Sequence, residues 1–479
     1  MATRMKVLQA AAGVGGGGLD ITDVFSTYLY TGNASTQTVT NGIDLSGEGG
    51  LVWFKNRSAA STNHSIFDTE SGATGGARLR TNLADGLQTF NGSAVFTTSS
   101  TGFALNNDAS NDLNDSLYDY ASWTFRKAPK FFDVVTYTGD GTGNRAISHN
   151  LGGTVGFLVV KRLDASSLWH TYHQAIGAQQ GRLNETIQFR SSEYLNVFHS
   201  SGTEPTDSVF YVGGSNPNDI NTSGATYVAY LFAHNDGDGE FGPDGDQDIV
   251  KCGSYTGNGS TNGPEIDLGF EPQWLMVKNS TASSNWMIID NMRGFVSGTG
   301  SAGDDATLAA DSSAAENGVI GAVPAASPLP TGFKLTGAVT ASNVSGATHI
   351  YMAIRRGPLA PPEAGTEVFA VHKETTANLN QTPPFLQPAP FAVDFISNKF
   401  FGGSSSWWSA TRLTGARLQF ESTAAETSVS TTHEFDHNDG VAVNGLSAST
   451  NFMGYMWKRA PSFFDVITWQ VDGTGNQTI

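Results

Sequence analysis

One strand is written five times along this chain, and that self-similarity constrains the architecture more than any other feature. It opens as Asp23-Val24-Phe25-Ser26-Thr27-Tyr28-Leu29-Tyr30-Thr31-Gly32. It returns as FDVVTYTGDGTGN from Phe132, DIVKCGSYTGNGS from Asp248 and FDVITWQVDGTGN from Phe464, with a weaker copy, EVFAVHKETT, from Glu367. The marker residues Tyr30, Tyr137, Tyr255, His372 and Trp469 are spaced by roughly 100 to 120 residues, the size of one small β domain. A chain of 479 residues is too long for one core, so several units in series are expected.

Each unit also closes alike, with YASWTFRKAP from Tyr120, YVAYLFAHND from Tyr227, IYMAIRRGP from Ile350 and FMGYMWKRAP from Phe452. Trp123, Tyr230, Met352 and Tyr455 share one position, and Phe125, Phe232, Ile354 and Trp457 fall two residues later, the period of a buried strand face. Between opening and closing strands lies a hairpin whose first strand ends in Lys or Arg and whose second carries Trp. Its copies are FLVVKRLDASSLWHTY, WLMVKNSTASSNWMII and AVDFISNKFFGGSSSWWSA, with LVWFKNRSAASTNHSIF in the first unit. Trp169, Trp286 and Trp407 correspond, and His64 stands in the first unit.

Short strands, turn residues between them and 56 glycines predict an all-β chain, a tandem array of β-sandwich domains of jelly-roll type. The predicted organisation is an N-terminal anchor and Gly-rich tether (1–20), sandwiches at 21–129, 130–235 and 236–360, and a divergent fourth at 361–461. The start of a truncated fifth unit follows at 462–479. That last opening strand has nothing to pair with, so a longer polypeptide is expected. Joints of only a few residues, RKAPKFFDVV and KRAPSFFDVI, predict a stiff rod that acts as a spacer.

A formal charge of −18 disfavours nucleic acid, whose backbone it would repel. The N-terminus lacks the apolar stretch of a signal peptide, and no run approaches the length of a membrane span, so membrane insertion is not expected. Cys252 is the single cysteine and reads as a small buried hydrophobe.

Among candidate sites, the acidic joint HNDGDGEFGPDGDQD places Asp236, Asp238, Glu240 and Asp244, Asp246, Asp248 at alternate positions among glycines, a pattern that suits calcium. Its spacing is not that of an EF-hand, and a solvated acidic linker is the plainer alternative; no other cofactor is expected. Trp169, Trp286, Trp407 and Trp408 are candidate stacking platforms for sugar rings, against a structural role for the three that share a repeat position. Adjacent strand residues face opposite ways, so Trp408 is the better candidate for an exposed glycan contact and Trp407 the second. His170 and His173 fall on opposite strand faces, which weakens a metal site with His199. No nucleophile elbow, phosphate loop or metalloprotease helix is present, and an enzyme is not expected. Val7 and Leu8, ahead of the glycine run, are candidate anchor contacts to a partner.

The opening and closing strands, together with GEGGLVWFKNR and YVAYLFAHNDGDGEFGPDGDQDIVKCGSYTGNG, resemble a family of repeat-bearing structural proteins of marine phages, cyanophages among them. The resemblance runs over nearly the whole chain. It implies concanavalin A-like (laminin G-like) sandwiches in a virion tail fibre acting in host attachment, made in the host cytoplasm. It also implies other tail proteins as partners through the N-terminus and host surface glycan as a further one. Fibres without disulfides gain stability from symmetric association, which gives the expectation of a homotrimer. A lectin-like array and a capsid-decorating fibre are the alternative readings. The fourth unit departs most, lacking the TYTGDGTGN turn and carrying Pro383, Pro384 and Pro388.

Overall fold

The computed structural model describes residues 17–89, 95–106, 112–177, 179–190, 198, 203–213, 220–297, 305–321, 325–374, 385–401, 406–423, 427–428, 433–443 and 451–468. The fold is all-β, built from separate antiparallel sheets that recur in pairs.

In every unit the larger sheet runs opening strand, closing strand, first hairpin strand, second hairpin strand. The opening strands are Phe25–Thr31, Phe132–Thr138, Val250–Thr256 and Phe369–Glu374. Their partners are the closing strands Asp119–Arg126, Thr226–Ala233, Thr348–Arg355 and Phe452–Trp457. The register is common to all four, pairing Phe25 with Phe125, Phe132 with Phe232, Val250 with Ile354 and Phe369 with Trp457. A smaller sheet covers one face. In the first unit it comprises Gln37–Thr40, Gly102–Leu105 and Phe96–Ser99.

The TGxG signature after the opening strand has a local cause. Asn114, Asn221 and Asn343, each just before a closing strand, use their side-chain amides to bridge the loop, to Ser35, Thr142 and Ser260 carbonyls at 2.6, 2.7 and 2.8 Å. The marker tyrosines lock the same corner: the hydroxyls of Tyr30, Tyr137 and Tyr255 donate to Leu113, Ile220 and Ser342 carbonyls. The fourth unit has His372 at the marker position instead.

Sandwich interiors account for only one face of each larger sheet. Val52, Phe54, Phe67 and Phe103 fill the first unit, and Leu275, Val277, Ile289 and Phe333 fill the third. The opposite face is also apolar and also buried: Leu51, Trp53, Trp123 and Phe125 of the first unit join Phe157, Tyr230 and Phe232 of the second and Trp274, Trp286 and Met352 of the third in one shared core. An antiparallel sheet in a two-layer sandwich ordinarily leaves one face to water. Here the shared Trp123 and Phe125 positions line the space between sandwiches.

The rod expectation is therefore corrected. The first three units pack side by side around a common core, because a linear arrangement would leave the second apolar face of each sheet wet. The fourth unit docks on the first and third, through Arg57 to Asp436 at 3.3 Å, Ser297 N–H to the Leu413 carbonyl at 2.5 Å, and a two-pronged ion pair from Arg459 to Glu271 at 2.8 and 2.7 Å.

Candidate functional site

The most elaborate polar chemistry of the chain lies where units meet, and it repeats in a cycle. The indole N–H of Trp169 in the second unit donates to the Arg80 carbonyl of the first, at 3.1 Å. Trp286 of the third does the same to Arg182 of the second, at 3.0 Å. His64 of the first closes the cycle on Ala309 of the third, Nε2 to carbonyl at 3.0 Å, while its Nδ1 accepts from the Trp53 indole. Arg80, Arg182 and Ala309 occupy the same repeat position, each beside a residue paired across from the second hairpin strand.

Four residues further on, the carbonyls of Ala84, Thr186 and Ser313 receive the ammonium groups of Lys161, Lys278 and Lys55, each from the adjoining unit. These lysines end the first hairpin strands and are fully buried. Burial pulls them below the usual amine range, Lys161 to about 7 and Lys55 and Lys278 to about 8. Backbone bonds complete the set: Leu87, Phe189 and Glu316 donate N–H to the carbonyls of Leu163, Ser280 and Arg57, at 2.8, 2.9 and 2.8 Å. The three sandwiches form a closed ring in which each contact is heterologous and the rotation closes after three.

A further contact keeps position but changes chemistry. Trp123 donates its indole N–H to Asp290 across one interface and Tyr230 its hydroxyl to Asp68 across another, at 3.1 and 2.7 Å. Burial, with Asp68 beside it, raises the Tyr230 pKa well above the phenol range. At the third interface Met352 cannot donate, and His173, at the aspartate position, bonds the Tyr351 carbonyl instead. Cys252 lies in the same core with its thiol raised by burial.

The residues singled out in the sequence fall as follows. Trp169 and Trp286 are buried between units, closed to sugar rings. Trp408 lies on the strand face shared with Ala410, which is packed in the interior of the fourth sandwich, and the Arg417 guanidinium sits 4.3 Å from its ring centroid. Trp407 is on the other, outward face, and both rings are half-buried. His173 is engaged at the third interface, His170 faces the other way, and His199 lies outside the described residues. Val7 and Leu8 also lie outside the described residues.

The acidic joint does not gather its carboxylates. Asp238 pairs with Lys130 at 2.8 Å, and Asp236 lies 3.6 Å from Lys251. Asp248 accepts the N–H groups of Gly237 and Gly239. Glu240, Asp244 and Asp246 are exposed. Cation side chains and backbone donors take the place a calcium ion would need. Among the described residues, the group of three that comes within 4.8 Å is Glu434, Asp436 and His437, with Asp436 held by Arg57.

Where the ring begins and ends in sequence is also bonded: the Asp20 carboxylate accepts the N–H groups of Leu359 and Ala360 at 2.8 and 3.0 Å. A family model described as a domain of unknown function (DUF7483) matches residues 20–358, the span of this ring. The chain belongs to that family. In DUF7483 terms, the matched region is three sandwiches closed on one another, and the fourth unit lies outside it. No curated protein and no solved structure matches the chain.

Proposed function

We propose that this chain is a structural protein of a phage virion, a tail-fibre component acting in host attachment, in which the closed ring serves as a rigid module. The observation that carries the reading is the investment of buried polar chemistry in holding units together: lysines, indoles, a histidine and an aspartate–arginine network are all committed to contacts between sandwiches. The strand signatures that resemble phage structural repeats supply the setting. Three domains locked into one body present a stiff unit without disulfides, which suits a particle exposed to the outside. The ring replaces the rod as the source of that stiffness.

Immunogold labelling of intact particles with an antibody raised against residues 20–358 tests the reading. Label on the tail fibres is expected. Label confined to the capsid, or no label on purified particles, overturns the tail-fibre assignment.

A further inference from the structure

One seam of the ring is not tied by the chain itself. The first unit runs directly into the second and the second into the third, but the third meets the first only through side chains and backbone hydrogen bonds. Two of its repeated contacts are slighter than their counterparts. His64, a smaller ring, stands where the other interfaces have Trp169 and Trp286. Lys55 reaches its carbonyl at 3.5 Å, against 2.9 Å for Lys161 and 3.0 Å for Lys278.

The fourth unit lies across this seam and holds both sides of it. On the first unit, the Asn438 carboxamide accepts the Leu29 N–H at 3.3 Å and donates to the Leu29 carbonyl at 2.5 Å. Leu29 is on the edge strand of its sheet, so Asn438 takes the place of a missing strand partner. Asp436 takes the one Arg57 nitrogen that Glu316 leaves open: Nη1 lies 3.3 Å from Asp436, while Nε and Nη2 lie 2.9 and 3.1 Å from Glu316. On the third unit, Arg459 grips Glu271 at 2.8 and 2.7 Å, and the Ser297 N–H reaches the Leu413 carbonyl at 2.5 Å. The Gly415 turn sits so close that an added Cβ would lie 3.2 Å from Val296. These contacts are mostly polar. The interior of the fourth unit is a separate apolar cluster, and among its described residues Ala392, half-buried, is the one packed against the shared core. The unit can therefore leave the seam at little cost in exposed apolar surface.

We propose that the fourth unit is a clasp on the ring. Docked, it keeps the first and third units together; undocked, it lets the ring open at this seam while the other two interfaces hold. Opening is thereby confined to one chosen place, and the inference does not depend on the virion reading.

Amide exchange in the full chain tests it, because each interface carries one equivalent backbone bond. Glu316 N–H donates to Arg57 at the seam, Leu87 to Leu163 and Phe189 to Ser280 at the other two. The variant combines Asn438→Ala with Arg459→Met, neither of which touches Arg57 or Glu316, and Glu271 keeps Arg356 as a partner at 3.3 Å. The radius of gyration should rise as the unit undocks. Exchange at Glu316 should quicken about 10-fold or more while Leu87 and Phe189 stay as slow as before. A fourth unit that unfolds is equally undocked and leaves that expectation unchanged. Unaltered Glu316 exchange in an undocked chain overturns the proposal, as does equal quickening at all three interfaces. A unit that stays docked without both side chains overturns it too, because those contacts are then not what holds the clasp.

Discussion

The backbone N–H of Glu316 lies 2.8 Å from the carbonyl oxygen of Arg57, and beside that bond their side chains form a two-pronged ion pair at 2.9 and 3.1 Å. The two residues belong to the third and first repeats, so this is one of the contacts that turn a series into a ring. Burial opposes ionisation of Glu316, yet Arg57 and Arg293 together hold its pKa below the usual carboxylate range. Arg293 is itself fully buried and bonds Asp290 at 2.7 Å. Removing one member of a buried ionic network leaves the others uncompensated. Asp290→Ala is therefore expected to lower stability by about 3–5 kcal/mol, read from the denaturant midpoint of the ring. A loss under about 1 kcal/mol would show that the network is not the lock it looks to be.

The indoles at the interfaces separate hydrogen bonding from packing. Trp286→Phe keeps the ring shape but leaves the Arg182 carbonyl without its donor, and a loss of about 1–3 kcal/mol is expected. Trp286→Ala also opens a cavity in the shared core and should cost about 3–5 kcal/mol. Amide exchange is the sharper readout. Protection should fall on the closing strands of the second and third units, Thr226–Ala233 and Thr348–Arg355, and persist in the fourth. Uniform loss of protection through all four units would contradict a local interface role.

Much of the fold was legible because repetition makes each strand its own control. The shared Phe125, Phe232, Ile354 and Trp457 position declared a buried face correctly, but period two cannot say what buries it. The signal that was available is the near-continuous apolar run: LVWF, FLVV and WLMV have no polar residue on either face, the pattern of a strand covered on both sides. Read that way, the first hairpin strands announce a third layer. The lysines that end them read in sequence only as strand terminators, since a sequence does not reveal that Ala84, Thr186 and Ser313 bring carbonyls from another unit. Trp407 and Trp408 meet the same limit: alternation fixes that they differ in face, not which face is inward.

Acid should weaken the ring through its histidines. Burial lowers His64 well below its ordinary value, with Lys55 adding to it, and burial lowers His173 to about 4. A histidine whose folded pKa is depressed binds fewer protons in the fold than in the unfolded chain, so stability rises with pH across that interval. Falling pH from about 6.5 toward 4 therefore costs stability, as the unfolded chain takes up protons the ring refuses. Melting temperature is expected to drop between pH 7 and pH 5. The drop should shrink in the His64→Gln, His173→Gln double variant, and an equal drop in both proteins would assign it to other groups.

Cys252 gives a chemical clock for ring opening. Its thiol is buried in the shared core and burial raises its pKa, both of which suppress the reactive thiolate. A Cβ on Gly156 of the second unit would lie only 2.7 Å from its sulfur, so the seat is tight across the interface. The native chain should resist a soluble thiol reagent and react fully in denaturant. Trp169→Ala, which removes a contact between the first and second units, should speed labelling, and rapid labelling of the unaltered chain would be inconsistent with the closed ring.

Calcium should leave the protein unchanged. The carboxylates of the acidic joint are held apart: Lys130 takes Asp238, Lys251 sits between Asp236 and Asp248, and two backbone N–H groups bind Asp248. A hard divalent cation needs six to eight oxygens at about 2.3–2.6 Å, which this joint would supply only by breaking those bonds. Melting temperature in millimolar calcium should equal that in chelator. The lysines are then the elements that order the joint. Lys130→Met should lower its amide protection around Gly237 and Gly239 without changing the ring. A calcium-dependent rise in melting temperature that disappears in Asp248→Asn would restore the metal reading.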